Sequence, residues 1–138
     1  MPTIFSKIIA GEIPSYKVAE NERFYAFLDI NPLSPGHTLV VPKNETDYIF
    51  DLDGEEYSSL FLFAQKVAKG IKEAIPCKRV GIAVIGMEVP HAHIHLVPLN
   101  NESDLNFGKS RFRATPDEMS GIAALINSKI ILLFNYSI

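Results

Sequence analysis

Residues 91–98 read HAHIHLVP, and three of the chain's four histidines, His91, His93 and His95, fall there at alternate positions. The fourth, His37, lies in a second apolar stretch, PGHTLVVPK. A β-strand sends residues i, i+2 and i+4 to one face. The three imidazoles are therefore expected to project together, with Ala92, Ile94 and Leu96 on the opposite, apolar side. Side chains two apart on a strand face lie roughly 7 Å from each other. That is too far for direct bonds between neighbours, but it suits gripping one small ligand at several points. His37, at the start of another predicted strand, could close the group.

Three kinds of chemistry fit such a face. The imidazoles could simply be amphipathic cover for a half-exposed strand. They could ligate Zn²⁺ or Cu²⁺, although the only acid close in sequence is Glu88. Or they could act as nucleophile and proton donor. Neutral imidazole has an ordinary pKa of about 6.5, so near pH 7 a large share can attack phosphorus. A second imidazole can then donate a proton to the leaving group.

The elements that must position these residues follow from the pattern. Ile4, Phe5, Ile8 and Ile9 predict a short helix over 4–10 that stops at Gly11. Strands are predicted over 16–20, 23–29, 37–42, 80–85 and 91–98. Asn21-Glu22 makes the first hairpin turn, and NPLSPG at 31–36 is a loop. A long helix starts at Asp53, with Glu56 three residues on as a capping box, and Pro76 ends it. Its apolar face carries Leu60, Phe63, Ala64, Val67, Ala68, Ile71 and Ile75. Residues 99–114 read as a loop. Thr115-Pro116-Asp117-Glu118 opens a last helix through Met119, Ile122, Ala123 and Ile126. The apolar tail from Ile130 to Ile138 is read either as a packing strand or as a poorly ordered end. Five strands and three helices, segregated rather than alternating, predict an α+β fold with an antiparallel sheet.

Composition bounds the function. The 138 residues fit a single domain over 1–138, and 47% hydrophobic content excludes a disordered chain. A net charge of −3 with scattered Lys and Arg disfavours nucleic-acid binding. A lone cysteine, Cys77, excludes a disulfide framework and a Cys-rich zinc site. The start lacks a basic n-region and a long apolar run, and IILLF at 130–134 is too short to span a bilayer. A cytoplasmic protein without membrane partners is expected. A mean hydropathy of +0.12 hints at a buried interface between copies.

The triad segment HAHIHL resembles the His-x-His-x-His-x signature of the histidine triad superfamily. IFSKIIAGEIPS, FYAFLDINPLSPGHTLVVPK and GMEVPHAHIHLVPL resemble its three blocks in order, over roughly residues 3–100. The opening IFSKIIAGEIP places the Hint-like branch nearest. The resemblance implies a five-stranded antiparallel sheet with a long helix and a short N-terminal helix. It implies a homodimer whose two sheets join into one of ten strands. It also implies metal-independent, cofactor-free hydrolysis or transfer at the α-phosphorus of purine nucleoside phosphate conjugates, either phosphoramidates or dinucleoside polyphosphates. In a second reading the chain is a purine-nucleotide binding or sensing module with negligible turnover.

By the same resemblance His93 is the nucleophile, and His95 contacts phosphate oxygens or the leaving group. The backbone carbonyl of His91 fixes the tautomer of His93, and His37 completes the cluster. Asp29 accepts the ribose hydroxyls, and Phe5, Ile8, Ile13, Phe27 and Ile30 wall the purine pocket. Asp29 also reads as an ordinary turn-starting residue, and the apolar five as ordinary core. Met87 and Glu88 fall where the family holds phosphate with Gln and Ser/Thr. Their side chains suit an anion poorly, but their backbone N–H groups remain available. Ser6 stands where zinc-binding relatives carry the second cysteine of a Cys-x-x-Cys pair, so no metal is expected.

Overall fold

The computed structural model describes residues 2–135. Helix α1 (Ile4–Ile9) is capped by Thr3, whose hydroxyl accepts from the Ser6 amide at 3.0 Å. Strands β1 (Lys17–Glu20), β2 (Phe24–Leu28) and β3 (Thr38–Pro42) follow. The turn between β1 and β2 is tied by Asn21, whose side-chain oxygen accepts from the amides of Arg23 and Phe24. Helix α2 (Gly54–Ala74) leads to β4 (Arg79–Ala83) and β5 (Ile94–Leu99), and α3 (Pro116–Phe134) closes the described chain. The sheet is antiparallel throughout, in the order β1-β2-β3-β5-β4.

The sheet is covered on both faces, which is why β2 and β3 are buried at every position. On one face Phe24, Ala26, Leu28, Val40, Ile94 and Leu96 pack against the apolar stripes of α2 and α3. On the other face Tyr25, Phe27, Leu39 and Val41 pack beneath Phe5, Ile8 and Ile9 of α1. The side-chain period of two divides each strand between these faces. The candidate site residues leave the strands on the face under α1.

Four expectations change. The triad strand begins at Ile94 rather than at 91. Before it, the His91 amide donates to Val89 O at 2.8 Å and the Ala92 amide to Thr46 O at 2.7 Å, so neither is free for the ladder. The box at Asp53 is half made: its carboxylate accepts from the Glu56 amide, but Glu56 turns to Asn44 Nδ2 at 3.3 Å. The segment 99–114 contains a single 3-10 turn, Glu102–Leu105, capped by Asn101 and Asp104. The tail is helical as far as Phe134, because Ile130 stands one turn beyond Ile126 and both are fully buried in the core. The part of the tail past 135 lies outside the described residues.

The seam between α2 and α3 depends on Gly70, where an added Cβ would run into the Ile130 side chain. Gly70→Ala is expected to lower stability by about 1–3 kcal/mol through overpacking. Urea denaturation checks this, and an unchanged midpoint would show that the two helices separate freely.

Candidate active site

The strand period sets the site. Asp29 lies two residues beyond Phe27, His37 two before Leu39, and His93 two before His95. Leu39 is the register partner of His95. All four polar residues therefore leave the same face at one end of three adjacent strands, next to α1. Phe5 of α1 stands edge-on to His93 at 5.0 Å and to Phe27 at 5.5 Å, closing the floor.

Hydrogen bonds to backbone groups, whose donor or acceptor character is fixed, settle the tautomers. The His93 Nδ1 lies 2.8 Å from His91 O, so Nδ1 carries the proton and Nε2 keeps its lone pair. The Leu33 amide donates to His37 Nδ1 at 3.0 Å, which places the His37 proton on Nε2. That proton is donated to His95 Nδ1 at 3.0 Å, leaving His95 with its own proton on Nε2. His91 donates from Nε2 to Pro42 O at 2.8 Å and accepts the Thr3 hydroxyl proton at Nδ1, also at 2.8 Å. The site thus presents one bare nitrogen, on His93, beside one N–H, on His95, with ring centroids 4.9 Å apart.

Burial keeps the cluster uncharged. Desolvation pushes His37 down to about 3 and His95 down to about 4, each reinforced by neighbouring positive charge. Desolvation also holds His93 below the usual histidine range, although its bond to His91 O opposes this. Asp29 moves the other way: burial raises it, against the Asn31 amide that its Oδ1 accepts at 2.8 Å. The 3.6 Å contact between His37 and Asp29 is therefore no ion pair, because His37 is neutral.

A cavity of about 240 Å³ opens over His93 and His95, walled by Asp29, Asn31, Ile85, Gly86, Met87, Glu88, Phe107 and Arg111. Of the residues singled out in the sequence, it gathers His93, His95, Asp29, Met87 and Glu88. Gly86 takes φ +73° and turns the chain there. The amides of Met87 and Glu88 make no hydrogen bond among the described residues. His37 lies behind His95 and does not reach the cavity. The His91 ring corrects the expectation of three rings in one cleft. It is fully buried between Thr3 and Pro42 because the chain is not yet a strand there. Phe5 and Phe27 are buried beneath the site, and Ile8 packs on them. Ile13 is half-buried. Ile30 is 78% exposed and borders a neighbouring cleft.

Asn31, Ile85, Gly86, Phe107 and Arg111 on the wall were not among the residues singled out in the sequence, and two of them stand against the histidines or carry charge. Phe107 meets His95 edge-on at 4.8 Å, and Arg111 lies over Phe107 at 5.6 Å. Their spacing, i and i+4 in a polar loop, was the only local hint. What holds them at the cavity is a bond from Arg111 Nη1 to Asn31 O, 80 residues away.

Asp29, His37 and His95 bring one ligand atom each within 4.8 Å of one another, a geometry open to a metal ion. The donors do not fit one. The Leu33 amide occupies the His37 lone pair, and the nitrogen facing the others carries a proton. The N-terminal positions do not fit zinc either. The Ser6 hydroxyl donates to Glu45 at 2.6 Å, and the Thr3 hydroxyl is spent on His91. Hydroxyls held in this way are not the thiolates that zinc selects.

A five-stranded antiparallel sheet carrying a one-ended histidine cluster defines a histidine triad fold. The HIT domain family model matches residues 10–102, and the chain belongs to that family. It is 35% identical, over 94% of its length and 99% of the relative's, to an adenosine 5′-monophosphoramidase of Schizosaccharomyces pombe. It is 37% identical to an adenosine 5′-monophosphoramidase of Saccharomyces cerevisiae, over 72% of this chain and 63% of that protein. A Hit-like protein from Bartonella henselae superposes with TM-score 0.79 at 30% identity, covering 92% of this chain and 95% of the other.

Since His37 and His95 are held neutral when folded and sit near 6.5 when unfolded, the unfolded chain binds more protons in acid. Their contribution to stability is full above about pH 6.5 and is lost as pH falls toward about 4 and then 3. Thermal melts from pH 7.5 to 4 are expected to show a falling midpoint, less steep in His37→Asn. Parallel curves for the two proteins would contradict the buried neutral cluster.

Proposed function

We propose that the protein hydrolyses purine nucleoside 5′-phosphate conjugates at the α-phosphorus, through a nucleotidyl-histidine intermediate on His93. The observation that carries this reading is the tautomer of His93. A proton locked on Nδ1 by a backbone carbonyl leaves a lone pair on Nε2 at the cavity, and burial keeps it unprotonated at neutral pH. The names of the two monophosphoramidase relatives support the reaction class and make P–N conjugates of adenosine monophosphate the first substrates to try.

In this reading the His93 Nε2 lone pair forms the new bond to phosphorus as the leaving group departs with the old bonding pair. The developing imidazolium is stabilised by donating from Nδ1 to the His91 carbonyl. His95 donates its Nε2–H to a phosphoryl oxygen or to the leaving group, held for this by His37. The free amides after Gly86 take the phosphoryl oxygens, in the way an oxyanion is held. Asp29 offers its second carboxylate oxygen to the ribose hydroxyls. Ile8 and Ile13 border the base, with Phe5 and Phe27 beneath, while Ile30 stands exposed at the edge of the neighbouring cleft. Water then attacks phosphorus, releasing the nucleoside monophosphate and restoring His93. No step needs a metal.

The partner in this reading is a second copy of the chain. Strand β4 is a sheet edge and exposes Ile82 (51%) beside Leu62 (60%) of α2. An apolar, unpaired edge is a template for strand addition. Two β4 strands side by side would extend the sheet to ten strands.

His93→Asn is expected to abolish turnover of an adenosine phosphoramidate while retaining monophosphate binding, and excess chelator is expected to leave the wild-type rate intact. Mass spectrometry of acid-sensitive, alkali-stable nucleotidylated protein reads the intermediate. Wild-type rate in His93→Asn would end covalent catalysis at that residue. Tight monophosphate binding with no turnover in the wild type would favour the binding module. Ile82→Asp is expected to shift the protein from dimer to monomer in analytical ultracentrifugation, and a monomeric wild type would refute the paired-edge assembly.

A further inference from the structure

The centre has a charge problem. Its histidines are neutral, and its wall carries two carboxylates, Asp29 and Glu88, around a space proposed for an anionic phosphate. Among the described residues, the fixed cation on that wall is Arg111. Its placement is firm: Nη1 donates to Asn31 O at 3.0 Å, Nη2 donates to Phe107 O at 3.1 Å, and the guanidinium lies over the Phe107 ring. A guanidinium has five N–H donors, so three remain. No carboxylate lies within ion-pair distance of it among the described residues.

Arg111 and Asn31 also wall a second cavity, of about 610 Å³. That cavity adds Ser110 and Arg113, and Arg113 is likewise without an ion-pair partner among the described residues. Two guanidiniums without an ion-pair partner among the described residues thus line adjoining cavities that share Asn31 and Arg111, the first of which holds the reacting histidines. Arginine forks match phosphate and carboxylate oxygens. The amides after Gly86 and the His95 N–H already suffice for the α-phosphoryl group, so the free donors of Arg111 are available to what lies beyond the scissile bond.

We propose that Arg111 and Arg113 form an anion subsite for the leaving half of the substrate, so that conjugates with a phosphate or carboxylate on the leaving group are preferred. This rests on the reading of His93 as nucleophile for the reaction, but not for the binding preference. The matched substrates are two adenosine phosphoramidates with the same P–N bond, one built on propylamine and the other on 2-aminoethyl phosphate. In each, the bond from phosphorus to nitrogen breaks, and the amine leaves with the bonding pair and gains a proton.

The wild type is expected to show a higher kcat/KM for the phosphorylated amine. Arg111→Gln is expected to lower the ratio of the two kcat/KM values by about 10- to 100-fold, the scale of a lost charge-assisted hydrogen bond. Arg113→Gln should lower it by less, and Arg111→Lys should recover part of it, which also controls for misfolding. An unchanged ratio in Arg111→Gln, with both substrates slowed alike, would overturn the subsite and assign Arg111 to the α-phosphate. If neither conjugate turns over, the nucleophile reading fails, and calorimetry still decides the subsite. Tighter binding of adenosine diphosphate than monophosphate, lost in Arg111→Gln, upholds it. Equal binding of the two by the wild type overturns it.

Discussion

The hydrogen bond from His93 Nδ1 to the carbonyl of His91 is the constraint on which the site turns. A neutral imidazole has one proton and two nitrogens, and the environment chooses between them. A carbonyl can only accept, so the choice here is made by backbone geometry and not by another titratable group. The carbonyl must itself be held still. That explains why the most buried ring of the triad, His91, takes no place in the cavity. Its two nitrogens are spent on Pro42 and Thr3, anchoring the segment whose carbonyl sets the tautomer of His93. The Leu33 amide plays the mirror role for His37 and, through it, for His95. Two backbone groups of opposite character thus give neighbouring histidines opposite faces: a lone pair on one and a proton on the other.

The double-sided sheet makes this possible. With α2 and α3 on one face and α1 on the other, Asp29, His37 and His95 leave the strands at a place where water is largely excluded. Desolvation then disfavours the charged form of His37, His93 and His95. This suits a nucleophile, which needs its lone pair, and it suits a hydrogen-bond donor. It does not suit an electrostatic clamp, so positive charge has to come from outside the cluster.

Much of this arrangement was legible in the sequence. The alternation of the histidines placed His93 and His95 on one face, His37 stood at a strand start from which it could close the group, and Asp29 came from the family resemblance. The helix caps at Asp53 and Thr115 were readable because capping is a local matter of side-chain oxygen and third amide. What could not be read depends on distant partners. The extension of the triad as strand to 91 failed because Thr46 and Val89, neither marked by any pattern, take the amides of Ala92 and His91. The apolar tail was open to a packing strand or a poorly ordered end because a short apolar run carries no clear period. Burial of Ile126 and Ile130 along one helical side decided for helix. Arg111 was invisible because its meaning lies in a carbonyl 80 residues earlier.

Arg111 also shows how the parts compete. Its charge helps to depress His37 and His95, and it lowers Asp29 against the burial that raises it. A cation placed inside the cluster would deepen those shifts and compete with the histidines for the same phosphate. Set at the rim, with two carbonyls and an aromatic face to hold it, the guanidinium keeps three donors free and stays one ring, Phe107, away from His95. The division of labour follows from dielectric alone. Neutral groups with fixed protons work where water is excluded, and a fixed charge works at the border where its own desolvation costs less. A loop of low sequence signal can supply such a border residue without disturbing the sheet that fixes the histidines.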